Sequence, residues 1–159
     1  MKKKIALILA LVLLYALADG MIVTTEADEY TIVRQFGAVV RINDTPGASL
    51  KIPVIQTVTR LPKNELLYDM AASTVITSDK KTMVADSFVL WRISDPMKFV
   101  QTLSGSLSGA EGRIDAVVYN AMKTVISSIS QEKVISGRDG ELAASILRTM
   151  GSNLESYGI

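Results

Sequence analysis

Apolar and polar positions change their rhythm along this chain. Ile5 to Ala18 is uninterrupted by charge and follows Lys2, Lys3 and Lys4. From Tyr30 to Ile93, short runs rich in Val, Ile, Thr and aromatic residues are separated by Gly, Pro, Asn and Asp, the signature of strands and turns. From Pro96 onward the apolar residues recur three and four positions apart, the period of helices packed on a core. Tyr30–Gln35 and Ala38–Ile42 flank Phe36-Gly37 and predict a hairpin. Asn43 to Gly47 predicts a turn, Leu50 to Pro53 a short extended piece, and Ile55 to Leu61 a strand. Pro53 has no N–H for a ladder and marks an edge or strand end. Glu65–Thr77 and Thr82–Ile93 predict two longer strands joined at Ser78–Lys81. The strands together predict a mostly antiparallel sheet.

The helical half opens at Ser94-Asp95-Pro96. An Asp side chain can accept a free helical N–H, and Pro at the first helical position loses no bond by lacking its own. Pro96–Leu103 therefore predicts a helix, with Met97, Val100 and Leu103 on one side. Ser104 to Gly109 predicts a flexible loop. A longer helix follows, striped by Ile114, Val117, Val118, Ala121, Met122, Val125 and Ile129. Glu132–Gly137 predicts a break. Asp139–Tyr157 predicts a last helix, with Leu142, Ile146, Leu147, Met150 and Leu154 on its apolar face. Gly158 is in a helix-stop position, and Ile159 looks like the start of a further strand.

One residue disturbs this pattern. Asp86 falls between Val84 and Phe88, on the same strand face, where a carboxylate needs a partner, exposure or a function. A structural role is expected: hydrogen bonds from nearby backbone, or an ion pair with Arg92 or with another subunit. Trp91 is expected to fill the core or a subunit contact. Asp86, Trp91, Arg92, Asp95 and Pro96 are thus the structural and assembly candidates.

The N-terminal run admits two readings. As a helix, Ile5–Ala18 spans about 21 Å, short of a bilayer core of about 30 Å. Extended through Ile22 and Val23, with Asp19 near the headgroups, it reaches about 28 Å. In that reading Ile5, Leu7, Leu9, Leu11, Leu13, Leu14, Leu17, Ile22 and Val23 face lipid, residues 1–23 form the anchor, and 24–159 form a domain outside the cytoplasm. Alternatively, Ala16-Leu17-Ala18 is a small-x-small cleavage site, and a soluble binding domain is secreted. In both readings the lysines stay cytoplasmic.

Composition removes several function classes. The 159 residues include neither Cys nor His. Disulfides, Cys/His zinc sites, and Ser-His-Asp or Cys-His catalysis are therefore excluded. A Ser-Lys pair or a carboxylate pair is formally available, but no spacing singles one out, and no cofactor is expected. The chain carries 17 basic and 16 acidic residues; without the three leading lysines, 14 basic face 16 acidic. No clustered basic stripe points to nucleic acid.

Four stretches carry a family resemblance: Val23 with Glu26–Gly37; Pro46–Val58; Lys80-Lys81, Val84–Ser87 and Trp91–Pro96; and Ser152–Ile159. They resemble the stomatin, prohibitin, flotillin and HflK/HflC superfamily, whose shared unit is the SPFH (band 7) domain, and the HflC branch in particular. The resemblance implies an α+β fold: an N-terminal transmembrane helix, then an SPFH domain, cut before its last strand and the long helix that follows it. It implies a non-enzymatic, single-pass scaffold in the bacterial inner membrane. The implied partners are an HflK-like paralogue, further HflC-like subunits, an FtsH-like membrane protease and the lipid bilayer.

Overall fold

In the computed structural model the described residues are 21–137 and 140–159. They form nine strands, four helices and a final 3-10 turn, an α+β architecture. The chain divides into two compact units, one through Asn64 and one over Glu65–Ile159.

The first unit is all β. Strands β1 (Ile22–Thr25), β2 (Glu29–Gln35), β3 (Ala38–Asn43), β4 (Gly47–Leu50) and β5 (Gln56–Pro62) make two antiparallel sheets, ordered β1-β4 and β3-β2-β5. The β2–β3 hairpin closes at Gln35 opposite Ala38, with Phe36 and Gly37 both at positive φ. That two-residue geometry matches the right-handed twist of the flanking strands. Thr31, Ile32 and Val33, in the centre of β2, are all buried, so both faces of this strand are covered. Pro53 lies outside any strand, in the turn before β5.

The second unit opens with β6 (Leu66–Asp69), β7 (Ser73–Ile76), β8 (Thr82–Ala85) and β9 (Phe88–Trp91). The two long strands read from the sequence are each interrupted, and the ribbon is two short ladders, β6-β9 and β7-β8. Met70-Ala71-Ala72 faces only Asp86-Ser87 between them, so one strand carries an extra residue, as in a β-bulge. The expected single sheet is therefore four separate antiparallel sheets.

Helices α1 (Pro96–Leu103), α2 (Leu107–Ser127), α3 (Gln131–Ser136) and α4 (Glu141–Met150) complete the unit. Val75 of the ribbon packs with Met122 and Ile126 of α2, and Leu142 and Ile146 of α4 lie against that cluster. Three helical readings are corrected here. Ser104–Gly109 is not a loop throughout: the Ser106 hydroxyl caps Gly109 N–H at 3.0 Å, and α2 already starts at Leu107. Glu132–Gly137 is not a break, because Gln131–Ser136 is a short helix. The last helix stops at Met150, where Gly151 at φ 55° leaves the helical region, and Leu147 is exposed.

The N-terminal anchor falls mostly on residues 1–20, outside the described residues. Ile22 and Val23 do not extend it. They belong to β1, opposite Leu50 and Ser49, and Val23 is buried there. Both are β-branched and fit a ladder better than a helix end. Among the described residues, no helix is long and apolar enough to cross a membrane.

Candidate interaction surfaces

The corner from β9 into α1 is held by several specific contacts. Asp95 Oδ1 accepts from Met97 N–H at 3.0 Å and from Lys98 N–H at 3.1 Å, and Pro96 follows at the first helical position. Trp91 is buried and stacks on the fully buried Phe99, ring centroids 6.4 Å apart. The Gly158 carbonyl accepts from Ser94 N–H at 2.9 Å and Asp95 N–H at 3.2 Å. Gly158 has φ 76°, and a Cβ there would collide with the Asp95 carbonyl and lie 2.9 Å from Phe99 N. Glycine is required at this crossing. Arg92 points away, exposed.

Asp86 lies in the interruption between β8 and β9, and it is exposed. Val84 and Phe88 do share its side, but that side is the outward one. Leu67, Ile76, Val84, Phe88 and Leu90 are all more than half exposed there. Exposure explains the carboxylate. The expected backbone bonds and the pair with Arg92 are absent among the described residues.

A second polar feature escaped the sequence reading. The Thr77 hydroxyl donates to Asp79 Oδ1 at 2.5 Å, Gln131 N–H donates to the same oxygen at 3.2 Å, and Lys81 Nζ lies 3.3 Å from Oδ2. Ser78 N–H donates to the Ile129 carbonyl at 2.9 Å. The ribbon's turn is thereby fastened to the start of α3. Chiefly through the Thr77 bond, the Asp79 carboxyl is held below its ordinary pKa. Nothing in the Ser78-Asp79 turn signal names Gln131 as its partner.

The first unit has two contrasting ends. Hydrogen bonds gather one of them: Lys51 N–H to the Met21 carbonyl at 2.8 Å, Ile52 N–H to Gln56 Oε1 at 2.8 Å, and Gln56 Nε2 to Gln35 Oε1 at 3.2 Å. This brings the Phe36-Gly37 tip, the Ile52–Ile55 turn and Met21 together. Phe36 is 86% exposed and Val54 94%. Both have positive φ, 49° and 71°, which is unfavourable for a bulky or β-branched residue. At the opposite end lie the Asp44–Pro46 turn and the Glu26–Asp28 turn, where Lys63 Nζ donates to the Asp44 carbonyl.

Among the described residues, these surfaces bring no catalytic constellation together. Among the described residues no group of three or more Asp or Glu could hold a metal ion. An apolar groove of about 310 Å³ runs beside Val75, Met83, Met122, Ile126 and Leu142, with Asp86 and Ser87 also lining it. Partial burial of Tyr68, with the charges of Asp115 and Glu111, raises its pKa. Neither arrangement pairs a nucleophile with a base.

Comparison with known proteins agrees with the architecture. Residues 23–159 match the SPFH domain / Band 7 family. The chain is 27% identical over 159 residues to the Modulator of FtsH protease HflC of Escherichia coli (strain K12), covering 96% of this chain and 47% of that protein. Protein HflC of Buchnera aphidicola subsp. Acyrthosiphon pisum is 27% identical over 166 residues, covering 98% and 53%. Protein HflC of Haemophilus influenzae is 28% identical over 145 residues, covering 87% and 49%. The chain spans about half the length of the curated relatives it matches. With antiparallel ladders, packed helices and HflC relatives along nearly its whole length, this chain belongs to the SPFH domain / Band 7 family and is HflC-like.

Proposed function

We propose that this chain is the membrane-tethered SPFH part of a non-enzymatic scaffold that modulates an FtsH-like membrane protease. The similarity to HflC proteins over almost the whole chain carries the reading, since one such relative is named as a modulator of FtsH protease. The apolar run behind Lys2–Lys4 supports a tether that ends before Met21, with the domain outside the cytoplasm. The uncovered apolar side of the ribbon suits contact with further copies or with an HflK-like paralogue. Asp86 and Arg92, exposed on this part of the unit, are offered as polar rim residues of that contact.

Crosslinking in native bacterial membranes, followed by affinity purification, tests the reading. A ladder of higher oligomers with a co-purifying ATP-dependent membrane protease is expected. A strict monomer without protease overturns it. Recovery of a soluble chain beginning at Asp19 would instead establish a secreted domain.

A further inference from the structure

We infer that α3 is a strap that opens on its own, with Asp79 of the ribbon turn as its catch, and that its opening uncovers the apolar groove beside Met122 and Ile126. The strap belongs wholly to the second unit and depends on neither the tether nor a protease partner. Three observations carry it.

The first is how little holds α3 from within. It has six residues, Gln131–Ser136, and none of them is buried. A helix this short is marginal in water by itself. Ser130 stands at its N-cap position, yet the Ser130 side chain makes no capping bond. The cap comes from 52 residues earlier, where Asp79 Oδ1 accepts from Gln131 N–H at 3.2 Å. The buried Thr77 aims that carboxylate by donating its hydroxyl to the same oxygen at 2.5 Å. Ser78 N–H holds the Ile129 carbonyl, just ahead of the helix, at 2.9 Å. The ribbon turn, rather than the helix's own cap residue, therefore fixes where α3 begins.

The second is the packing around it. A cavity of about 430 Å³ lies between Lys81 of the ribbon and Gln131, Ile135 and Ser136. Another, of about 390 Å³, lies between Lys133 and Ser136 and the side chains of Val125 and Leu142 on α2 and α4. Among the described residues of α3, Val134 alone packs on the Val75, Met122 and Ile126 cluster. Protein interiors are close-packed, so an element bordered by voids on two sides has forgone much of its dispersion energy. Such elements open at the low end of a protein's range of local stabilities.

The third is what the strap covers. Val134 forms part of the wall of the 310 Å³ groove that Val75, Met122 and Ile126 also line. Release of α3 takes this wall away, while Leu142 and Ile146 of α4 stay against the cluster. Access to the groove is thus set by one carboxylate and its bonds, without unfolding of the unit.

Amide exchange of the full chain in detergent micelles, read on peptides covering 129–137 and 114–126, tests the strap. The α3 peptide is expected to be protected, but less than the α2 peptide. Asp79→Ala should speed exchange of α3 about tenfold and leave α2 unchanged. Asp79→Asn, which keeps an acceptor, should restore most of the protection. The chain has no Cys, so Val134→Cys can be labelled by a small neutral maleimide without background, and its labelling should quicken by the same factor in Asp79→Ala. Equal protection of α2 and α3 in the unsubstituted chain overturns independent opening, as does equal acceleration of both by Asp79→Ala. Faster exchange of α3 than α2, unaltered by either Asp79 variant, overturns Asp79 as the catch. An α3 without any protection overturns the closed state itself. If Asp79→Ala does not fold, Asp79→Asn and the unsubstituted chain still decide the first and last of these outcomes.

Discussion

The three-stranded sheet of the first unit and the twin ribbon of the second are both antiparallel hairpins, yet they distribute apolar residues differently. Strand β2 buries Thr31, Ile32 and Val33 in succession, so both of its faces are covered. The ribbon follows strict parity: Val75 and Trp91 point inward and are buried, while Val84, Phe88 and Leu90 point outward and are exposed. In β2, any change of side chain addresses the fold. In the ribbon, neighbouring residues separate stability from recognition, because successive side chains serve opposite faces.

The largest effect expected from this contrast is at Ile32, which is fully buried. Ile32→Ala should lower the unfolding free energy by about 2–5 kcal/mol in chemical denaturation, through lost burial and the cavity left behind. A loss within experimental error would mean that β2 is not the centre of its unit. Next comes Gly158→Ala, for which the added methyl meets the Asp95 carbonyl at a backbone angle that disfavours any Cβ. A destabilisation of about 1–3 kcal/mol is expected, and an unchanged thermal midpoint would place the final turn elsewhere. Asp95→Ala removes the acceptor for two helical N–H groups and should cost about 0.5–2 kcal/mol, largely recovered by Asp95→Asn.

Smaller still is a pH effect at Asp79. Its pKa is depressed in the folded chain, so its stabilisation is present above the ordinary carboxylate pKa and is lost as pH falls through the folded value. Asp79→Asn should therefore reduce the difference in thermal midpoint between about pH 7 and about pH 3. An identical acid limb in both proteins would remove Asp79 as its source. Smallest in stability is Val84→Ser on the outward ribbon face, expected to change the unfolding free energy by no more than about 0.5 kcal/mol. A large loss there would show that this face is covered in the isolated chain, and the parity argument would fail.

Much of the fold is legible in the residues. Phe36-Gly37 between two β-rich runs marks the hairpin, and Ser94-Asp95-Pro96 marks the start of α1 to the residue, because each is decided by local backbone chemistry. Ile114, Val118, Ala121 and Met122 of the predicted stripe do lie on the buried side of α2, which also takes in Ala110 and Ile126, residues the stripe left out. What stayed hidden depends on distant partners. The bulge at Asp86-Ser87 exists only because a longer stretch, Met70–Ala72, faces it across the ribbon. The run Ser104–Gly109 has loop composition, yet one hydroxyl at Ser106 turns half of it into helix. Ile22 and Val23 continue the apolar run, and nothing local shows that Leu50 and Ser49 will claim them as a strand. The surfaces were legible only in part, for the same reason. Asp86 was conspicuous as a carboxylate among apolar residues, but which side of the ribbon faced inward was set by helices that follow it in sequence.

The Gly158 carbonyl that accepts from Ser94 and Asp95 has a consequence for synthesis. The ribbon and α1 emerge early from the ribosome, but two N–H groups at their junction must wait for a residue made much later. The second unit therefore cannot lock its corner during translation of its first half. Its final cooperative step belongs to the period after Gly158 has been released, and pulse-labelled Ser94 and Asp95 amides should become protected from exchange only then.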